Sequence, residues 1–344
     1  MIPTAVGDLT PAWLSTALDA TVTGVRAEPV GTGQIGTCHR LFLRGEGVPA
    51  TVLAKLPALD PGARELLAGV YRTETLFYAE VAPTVAIRVP ACHHAAMSPD
   101  SGAFVLLLED LAPAEQGDQL AGCTVPQARD AVVNLAGLHG PRWCDPTLLD
   151  LDGIGLNDAE AARLLAELYG PATETFLGGL GDLLPAEDQA TLRDCVAVIE
   201  AWSLARAERF GLVHGDYRLD NLLFPPGGGP GSVAVDWQTL SLGLPARDLA
   251  YVLGTGLPVA ERRTHERDLV ASYHEALEGY GVASYPAALA WEDYRFAMLQ
   301  GPLVAVFGCA YGTRTERGDR MFAAMATRAC AAIRDLGSIA LATA

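Results

Sequence analysis

Asp110 marks the point where this chain changes character, and that change constrains the fold more than any single motif. Upstream the sequence reads as strands over 22–30, 37–43 and 50–56, separated by Gly-bearing turns in the manner of an antiparallel meander. A short helix precedes them, with Thr10 as N-cap and Pro11 at its first position. A longer helix over 64–81 follows, carrying Leu66, Leu67, Val70, Leu76 and Phe77 at helical spacing, with Pro83 and Pro90 beyond its end. A second hairpin joins 90–97 to 103–108 through the turn Pro99-Asp100-Ser101-Gly102. Downstream, helical patterns dominate: 125–138, 158–169, 185–206, 260–280, 289–308 and 318–336. One strand-rich island, 211–237, interrupts them and is itself broken by a Pro/Gly loop over 225–231. The pattern predicts an α+β chain of two lobes. A small antiparallel β-sheet lobe covers 1–108, a connector 109–111, and a larger, mainly helical lobe 112–344.

Length supports that division, because 344 residues exceed what a single core usually organises. The net charge of −17 argues against a phosphate-backbone binder, so no nucleic-acid partner is expected. Its distribution is uneven: 112–200 holds 15 acidic and 4 basic residues. Such a stretch serves either as a solvated surface or as an attraction for a cationic substrate. No apolar run approaches the roughly 18 residues that would span a bilayer, and no membrane association is expected. The start Met1-Ile2-Pro3-Thr4 lacks the pattern of a signal peptide. Seven cysteines, odd in number and without a CxxC pair, read as reduced thiols, which fits a cytoplasmic protein. The neighbouring His93 and His94 would point to opposite faces of a strand, which makes them a poor metal pair. Oligomeric state leaves no mark in the sequence.

Four features carry chemistry. Gly31-Thr32-Gly33-Gln34-Ile35-Gly36 caps the first hairpin, where Gly31, Gly33 and Gly36 either cradle phosphates or simply form a turn. Lys55 is the only lysine among 24 basic residues and lies in an apolar strand. An ammonium there snorkels to water, or is held by a carboxylate to grip a nucleotide's α/β phosphates. Glu74 on the following helix is the preferred carboxylate, with Glu80, nearer the helix end, as competitor. Asp216 and Asn221 stand in a D-x-x-x-x-N spacing between apolar strands, which places a proton-accepting carboxylate near a neutral oxygen ligand for Mg²⁺. Asp236 ends the apolar run Val233-Ala234-Val235 and supplies a second metal ligand. Any one of these aspartates could cap a helix or shape a turn; their joint order argues for a site.

With those residues in place, the sequence resembles the aminoglycoside phosphotransferase and choline kinase-like kinases, in particular bacterial ecdysteroid kinase-like relatives. The resemblance rests on His214-Gly215-Asp216 with Asn221, Val235-Asp236-Trp237, and Glu74-Thr75-Leu76-Phe77-Tyr78 after Lys55. It includes Leu106-Leu107-Leu108-Glu109-Asp110-Leu111, Leu135-Ala136-Gly137-Leu138-His139 and Pro245-Ala246-Arg247-Asp248-Leu249-Ala250, and so covers about 25–255. It implies a protein-kinase-like fold whose smaller lobe binds nucleotide and whose larger lobe carries catalysis. It implies Asp216 as catalytic base, Asn221 and Asp236 as Mg²⁺ ligands, and Lys55, oriented by Glu74, on the phosphates of ATP. The backbone of Glu109 and Leu111 would meet the adenine edge. Arg218 would neutralise charge on the transferring phosphoryl, or pair with an acid such as Asp220. His214 is expected to donate to backbone, Asp248 to cap a helix over 249–253 and brace the metal loop, and His139 to be a core residue.

The implied activity is ATP- and Mg²⁺-dependent transfer of the γ-phosphate to a hydroxyl of a small molecule, possible acceptors including cationic ones. The alternatives are a weakly catalytic pseudokinase that regulates a partner, and a protein kinase; the absence of D-F-G and A-P-E disfavours the latter. Near the C-terminus Glu292, Asp293 and Glu316 alternate with Arg295, Arg314, Arg317 and Arg320, a mixed set rather than the acidic grip that amino sugars meet in many family members. Trp291, Tyr294, Phe296 and Phe307 form either a substrate wall or core.

Overall fold

The computed structural model describes residues 2–31, 35–98 and 100–343. They form two compact units: Met1–Thr84 with Val89–Pro113 and Val235–Thr239, and Val85–Arg88 with Ala114–Ala234 and Leu240–Ala344. The expected connector at 109–111 thus falls inside the first unit, and a short piece of chain around Asp236 returns to that unit late in the sequence.

The first unit is a five-stranded antiparallel sheet, β1 (Thr21–Pro29), β2 (Gly36–Glu46), β3 (Thr51–Pro57), β4 (Cys92–Met97) and β5 (Phe104–Glu109), in the order β1-β2-β3-β5-β4. Helix α1 (Pro11–Leu18) begins as the sequence predicts, with Thr10 Oγ1 accepting the Trp13 amide at 3.2 Å. Alternation along the strands sends Leu41, Leu43, Val52, Ala54, Leu56, Val105 and Leu107 into one core with Leu9 and Leu14. Lys55 therefore projects from the opposite face, where its cross-strand partner is Cys38.

The single helix expected over 64–81 is three pieces: α2 (Pro61–Leu66), α3 (Ala68–Leu76) and a π-helical turn, Phe77–Val81. Asp60 caps α2 through the Ala63 amide, so the segment starts earlier than apolar spacing alone suggests. Leu67 then leaves helical geometry just before Gly69, a poor helix former.

The second unit holds α4 (Val125–His139), α5 (Ala159–Leu180), α6 (Ala186–Leu204), α7 (Ala246–Gly256), α8 (Val259–Gly279), α9 (Ala287–Phe296), α10 (Gln300–Tyr311), α11 (Glu316–Leu336) and α12 (Ser338–Ala342). Its strands are short: β6 (Glu115–Gln116), β7 (Gly211–Val213), β8 (Leu222–Phe224), β9 (Val233–Ala234) and β10 (Ser241–Gly243). They form an antiparallel trio β6-β8-β9 and an antiparallel pair β7-β10. Two helices depart from the sequence reading. Helix α5 continues through Pro171, because burial of Tyr169, Ala172, Phe176 and Leu177 outweighs the backbone bond that proline forfeits. The pattern over 289–308 divides into α9 and α10 at a 3₁₀ turn, Ala297–Leu299. No helix among the described residues is long and apolar enough to cross a membrane.

Candidate active site

In the first unit the sole lysine is held by two carboxylates. Lys55 Nζ donates to Glu74 Oε1 at 2.8 Å and to Asp236 Oδ1 at 2.7 Å. Glu74 is 2% exposed whereas Glu80 is exposed, so the helix presents Glu74 to the ammonium. Burial alone would lower the lysine's pKa; the Glu74 and Asp236 charges overcome it and hold the pKa above its ordinary value. Burial pushes the Glu74 carboxyl up, with Lys55 pulling against that shift. Asp236 takes a left-handed backbone conformation, φ 70°, a strained choice for a non-glycine residue. The following ring, Trp237, stacks on Phe77 of the π turn with centroids 3.5 Å apart and planes 4° from parallel. That stack anchors the segment which carries Asp236.

The glycines of the hairpin loop divide. Gly31 has φ 70° and open space around it, as a turn residue should. Gly33 lies outside the described residues. A Cβ at Gly36 would fall 2.4 Å from the Leu56 carbonyl, so pairing of β2 with β3 is itself enough to require glycine there. At the other end of the sheet, Glu109 exchanges bonds with Ala91: its amide donates to the Ala91 carbonyl at 2.8 Å and its carboxylate accepts the Ala91 amide at 3.1 Å. Leu111 is half-buried. Between them Asp110 is gripped by Arg40, Nε at 2.7 Å and Nη2 at 3.1 Å. The sequence reading overlooked that clamp, because Arg40 lies on β2, seventy residues upstream.

In the second unit the loop after β7 is built around Asp216. Tyr251 Oη donates to its Oδ1 at 2.9 Å. Asn221 Nδ2 donates to its Oδ2 and its backbone carbonyl, each at 2.9 Å, and Arg218 Nε lies 3.1–3.2 Å from the carboxylate. Both oxygens of Asp216 are thereby oriented. Because the Asn221 amide nitrogen is spent on Asp216, its Oδ1 is the atom left to serve a cation. Arg218 is closer to Asp216 than to Asp220, which it approaches at 3.7 Å.

Asp248 departs from its expected role. It is fully buried as the third residue of α7 and caps nothing there. Its carboxylate accepts the amides of His214 at 2.6 Å and Gly215 at 3.0 Å, so it braces the loop of Asp216 rather than that of Asp236. The His214 ring also holds the loop, its Nδ1 accepting the Asp216 amide at 3.3 Å. His139 is fully buried against Tyr273 Oη at 2.7 Å, and burial pushes its pKa down. Tyr251, which the sequence reading overlooked, lies three residues after Asp248 and so on the same helix face. A polar pair at that spacing in an apolar helix was the available signal.

Two members of the aromatic wall are core and two, Trp291 and Phe307, are half-buried. Tyr294 and Phe296 are buried, the former donating to Glu266 at 2.8 Å. Glu292 and Asp293 are occupied by Arg206 and Arg209. Among the described residues no group of three or more His, Cys, Asp or Glu could hold a metal ion, so a cation here would need ligand oxygens from elsewhere. Asn221 Oδ1 in the second unit and the Asp236 carboxylate in the first are each hard oxygen donors of the kind Mg²⁺ takes.

The model of the phosphotransferase enzyme family matches residues 35–291, and the chain belongs to that family. Choline kinase from Cryptosporidium parvum Iowa II superposes with a TM-score of 0.62 at 10% identity, covering 98% of this chain and 96% of that one. The gentamicin complex of APH(2")-IIa gives 0.52 at 13%, covering 96% and 97%. A streptomycin–ATP ternary complex of the same enzyme gives 0.50 at 13%, covering 92% and 94%. At these identities the likeness establishes the fold, the two-lobed α+β architecture of kinases. Acyl-CoA dehydrogenase family member 10 of Mus musculus is 48% identical over 48 residues, which is 14% of this chain and only 4% of that protein's length. The chain is thus a member of the phosphotransferase enzyme family and kinase-like by fold.

Proposed function

We propose that the protein transfers the γ-phosphate of ATP to a hydroxyl group of a small molecule. The observation that carries this reading is the Asp216 carboxylate, oriented at both oxygens by Tyr251, Asn221 and Arg218 on a loop braced by buried Asp248. A carboxylate fixed in that way can orient an acceptor hydroxyl and take its proton as the phosphoryl group arrives, a contribution of about 10²–10⁴ in rate. Lys55, steadied by Glu74, binds the α and β phosphates. Asn221 Oδ1 and Asp236 would hold Mg²⁺, which when bound neutralises charge on the phosphates. Arg218 stabilises the transferring group once an acceptor relieves its pairing with Asp216. Gly31 lines the phosphate loop, and the backbone at Glu109 and Leu111 meets the adenine edge. ATP is bound in the ternary complex of the fold neighbour, which supports that choice.

The test is ADP release from Mg·ATP across a panel of alcohols, hydroxy acids and amino sugars. Asp216→Ala is expected to abolish transfer while nucleotide still binds. Undiminished turnover in that variant would refute Asp216 as the base.

A further inference from the structure

Helix α11 carries four arginines whose partners differ. Arg317 pairs with Asp220 and Asp118, and Arg334 with Glu187 and Asp188. Arg320 forms no ion pair or hydrogen bond among the described residues. Arg328 is bound only to backbone carbonyls, those of Gln119 at 2.9 Å, Leu120 at 2.8 Å and Thr255 at 3.0 Å. Both residues line one open surface pocket of about 340 Å³, whose other walls include Leu120, Leu183, Ala323 and Thr327. In a chain with 41 acidic residues, a pocket that brings together two arginines without a carboxylate is unusual ground. It offers positive charge beside apolar surface; Asp118, whose charge bears on Arg328, is not among the lining residues and is paired with Arg317 at 3.5 Å.

The pocket lies along the helix that reaches the candidate catalytic loop. Met321 Sδ is 3.1 Å from Arg218 Nη1, and Arg317 reaches Asp220 at 3.2 Å. Residues 317, 320, 321, 324 and 328 recur at three- and four-residue steps, so they share a helix face. From 320 to 328 that face runs about 12 Å at 1.5 Å per residue.

We propose that this pocket receives the acceptor of the reaction proposed above, and that the acceptor is a hydroxylated carboxylic acid with a short apolar body, its carboxylate held by Arg320. The inference rests on the phosphotransfer reading for the fate of the hydroxyl, and on the pocket alone for the charge. A polycationic amino sugar would meet two guanidiniums there, a repulsion sharpened by the apolar walls.

Matched probes test it: ω-hydroxy acids of four to ten carbons, with the diols and amino alcohols of the same lengths. Binding is followed by saturation-transfer NMR without nucleotide, and turnover by ADP release with Mg·ATP. The hydroxy acid is expected to bind about tenfold tighter than its amino-alcohol counterpart, a value typical of a partly exposed guanidinium–carboxylate pair. Arg320→Glu should abolish or reverse that preference and Arg320→Lys retain part of it, with melting curves verifying the fold of both. Equal or better binding of the amino alcohols, no binding by any probe, or an undiminished preference in Arg320→Glu overturns the proposal. Hydroxy-acid binding that depends on Arg320 without any ADP release would leave the pocket assignment standing and refute the phosphotransfer reading.

Discussion

The two units immobilise their key side chains by opposite means. In the first, Lys55 is fixed by charge: two carboxylates from segments far apart in sequence meet one ammonium. In the second, Asp216 is fixed mostly by neutral donors, with a buried carboxylate, Asp248, acting one step removed on the backbone. The first arrangement depends on protonation states, the second on hydrogen-bond geometry. In the phosphotransfer reading proposed above, a lysine that must release a carboxylate to take up phosphate gains from a charged, exchangeable grip, and a base that must hold its direction gains from donors that do not titrate.

The sharpest way to break the comparison is at Asp248. Asp248→Ala leaves the His214 and Gly215 amides without their acceptor, each orphaned buried donor costing about 1–3 kcal/mol. Thermal or urea unfolding should show a loss of about 3 kcal/mol or more, and turnover should fall with it because the loop loses its direction. If stability holds, the brace is incidental and the second unit does not depend on geometry.

Lys55→Met is the corresponding cut in the first unit. It leaves Glu74 buried without its cation, at a cost of about 3–5 kcal/mol near neutral pH. The sign follows from burial, which raises the Glu74 carboxyl and which Lys55 opposes. Without the lysine, Glu74 titrates well above its unfolded value. The variant is therefore penalised least at low pH, where the carboxyl is protonated in both states, and most once pH exceeds the folded value. Urea unfolding at about pH 5 and about pH 8 should show the gap between variant and wild type widening with pH. A constant gap would mean that charge is not what holds this cluster. Lys55→Arg keeps the charge and alters only shape, so it should spare stability while raising the KM for ATP.

Asp130 sharpens the contrast from the side of geometry. Its carboxylate accepts the Gly231 and Ser232 amides at 3.0 and 2.7 Å and receives Arg88, closing the loop that leads into β9. Burial works to raise its pKa, but those bonds and the Arg88 charge outweigh it and hold the carboxyl below its ordinary range. A depressed carboxyl stabilises the fold above its unfolded pKa and loses that contribution as pH falls through the folded value. Asp130→Asn should cost about 1–2 kcal/mol at neutral pH and progressively less under acid, read by melting temperature across an acid series. An unchanged penalty at low pH would show that the residue acts by shape alone.

What was legible in the sequence follows the same division. Lys55, Glu74, Asp216, Asn221 and Asp236 stood out because each sits in a short apolar strand or at helical spacing, where a charged residue breaks a local pattern. The five strands of the first unit were legible for that reason as well. Arg40 was not, because its partner lies 70 residues away and neighbouring sequence says nothing about it; Asp248 stood out, but the amides it accepts, 33 and 34 residues upstream, did not. Gly36 looked like part of a phosphate motif although a carbonyl across the sheet is enough to demand it. The break at Leu67 hid inside a continuous apolar spacing. Local chemistry was visible; its bracing, which is tertiary, was not.

Tyr251 provides the finest cut. Its hydroxyl is buried and bonded to Asp216 Oδ1, and burial with the Asp216 charge holds it protonated far above its ordinary range. Tyr251→Phe removes one neutral donor and almost no volume, so the core of α7 stays filled. The loss is about 1 kcal/mol of orientation at one carboxylate oxygen, equivalent to about a fivefold fall in kcat. Because Asn221 and Arg218 still hold the other oxygen, KM for ATP should not move and the melting temperature should change little. A fall of several hundredfold would mean that Tyr251 touches the acceptor and is itself part of the chemistry. No change at all would mean that Asp216 needs only the two donors on its own loop, and that the second unit tolerates more freedom at its base than the first does at its lysine.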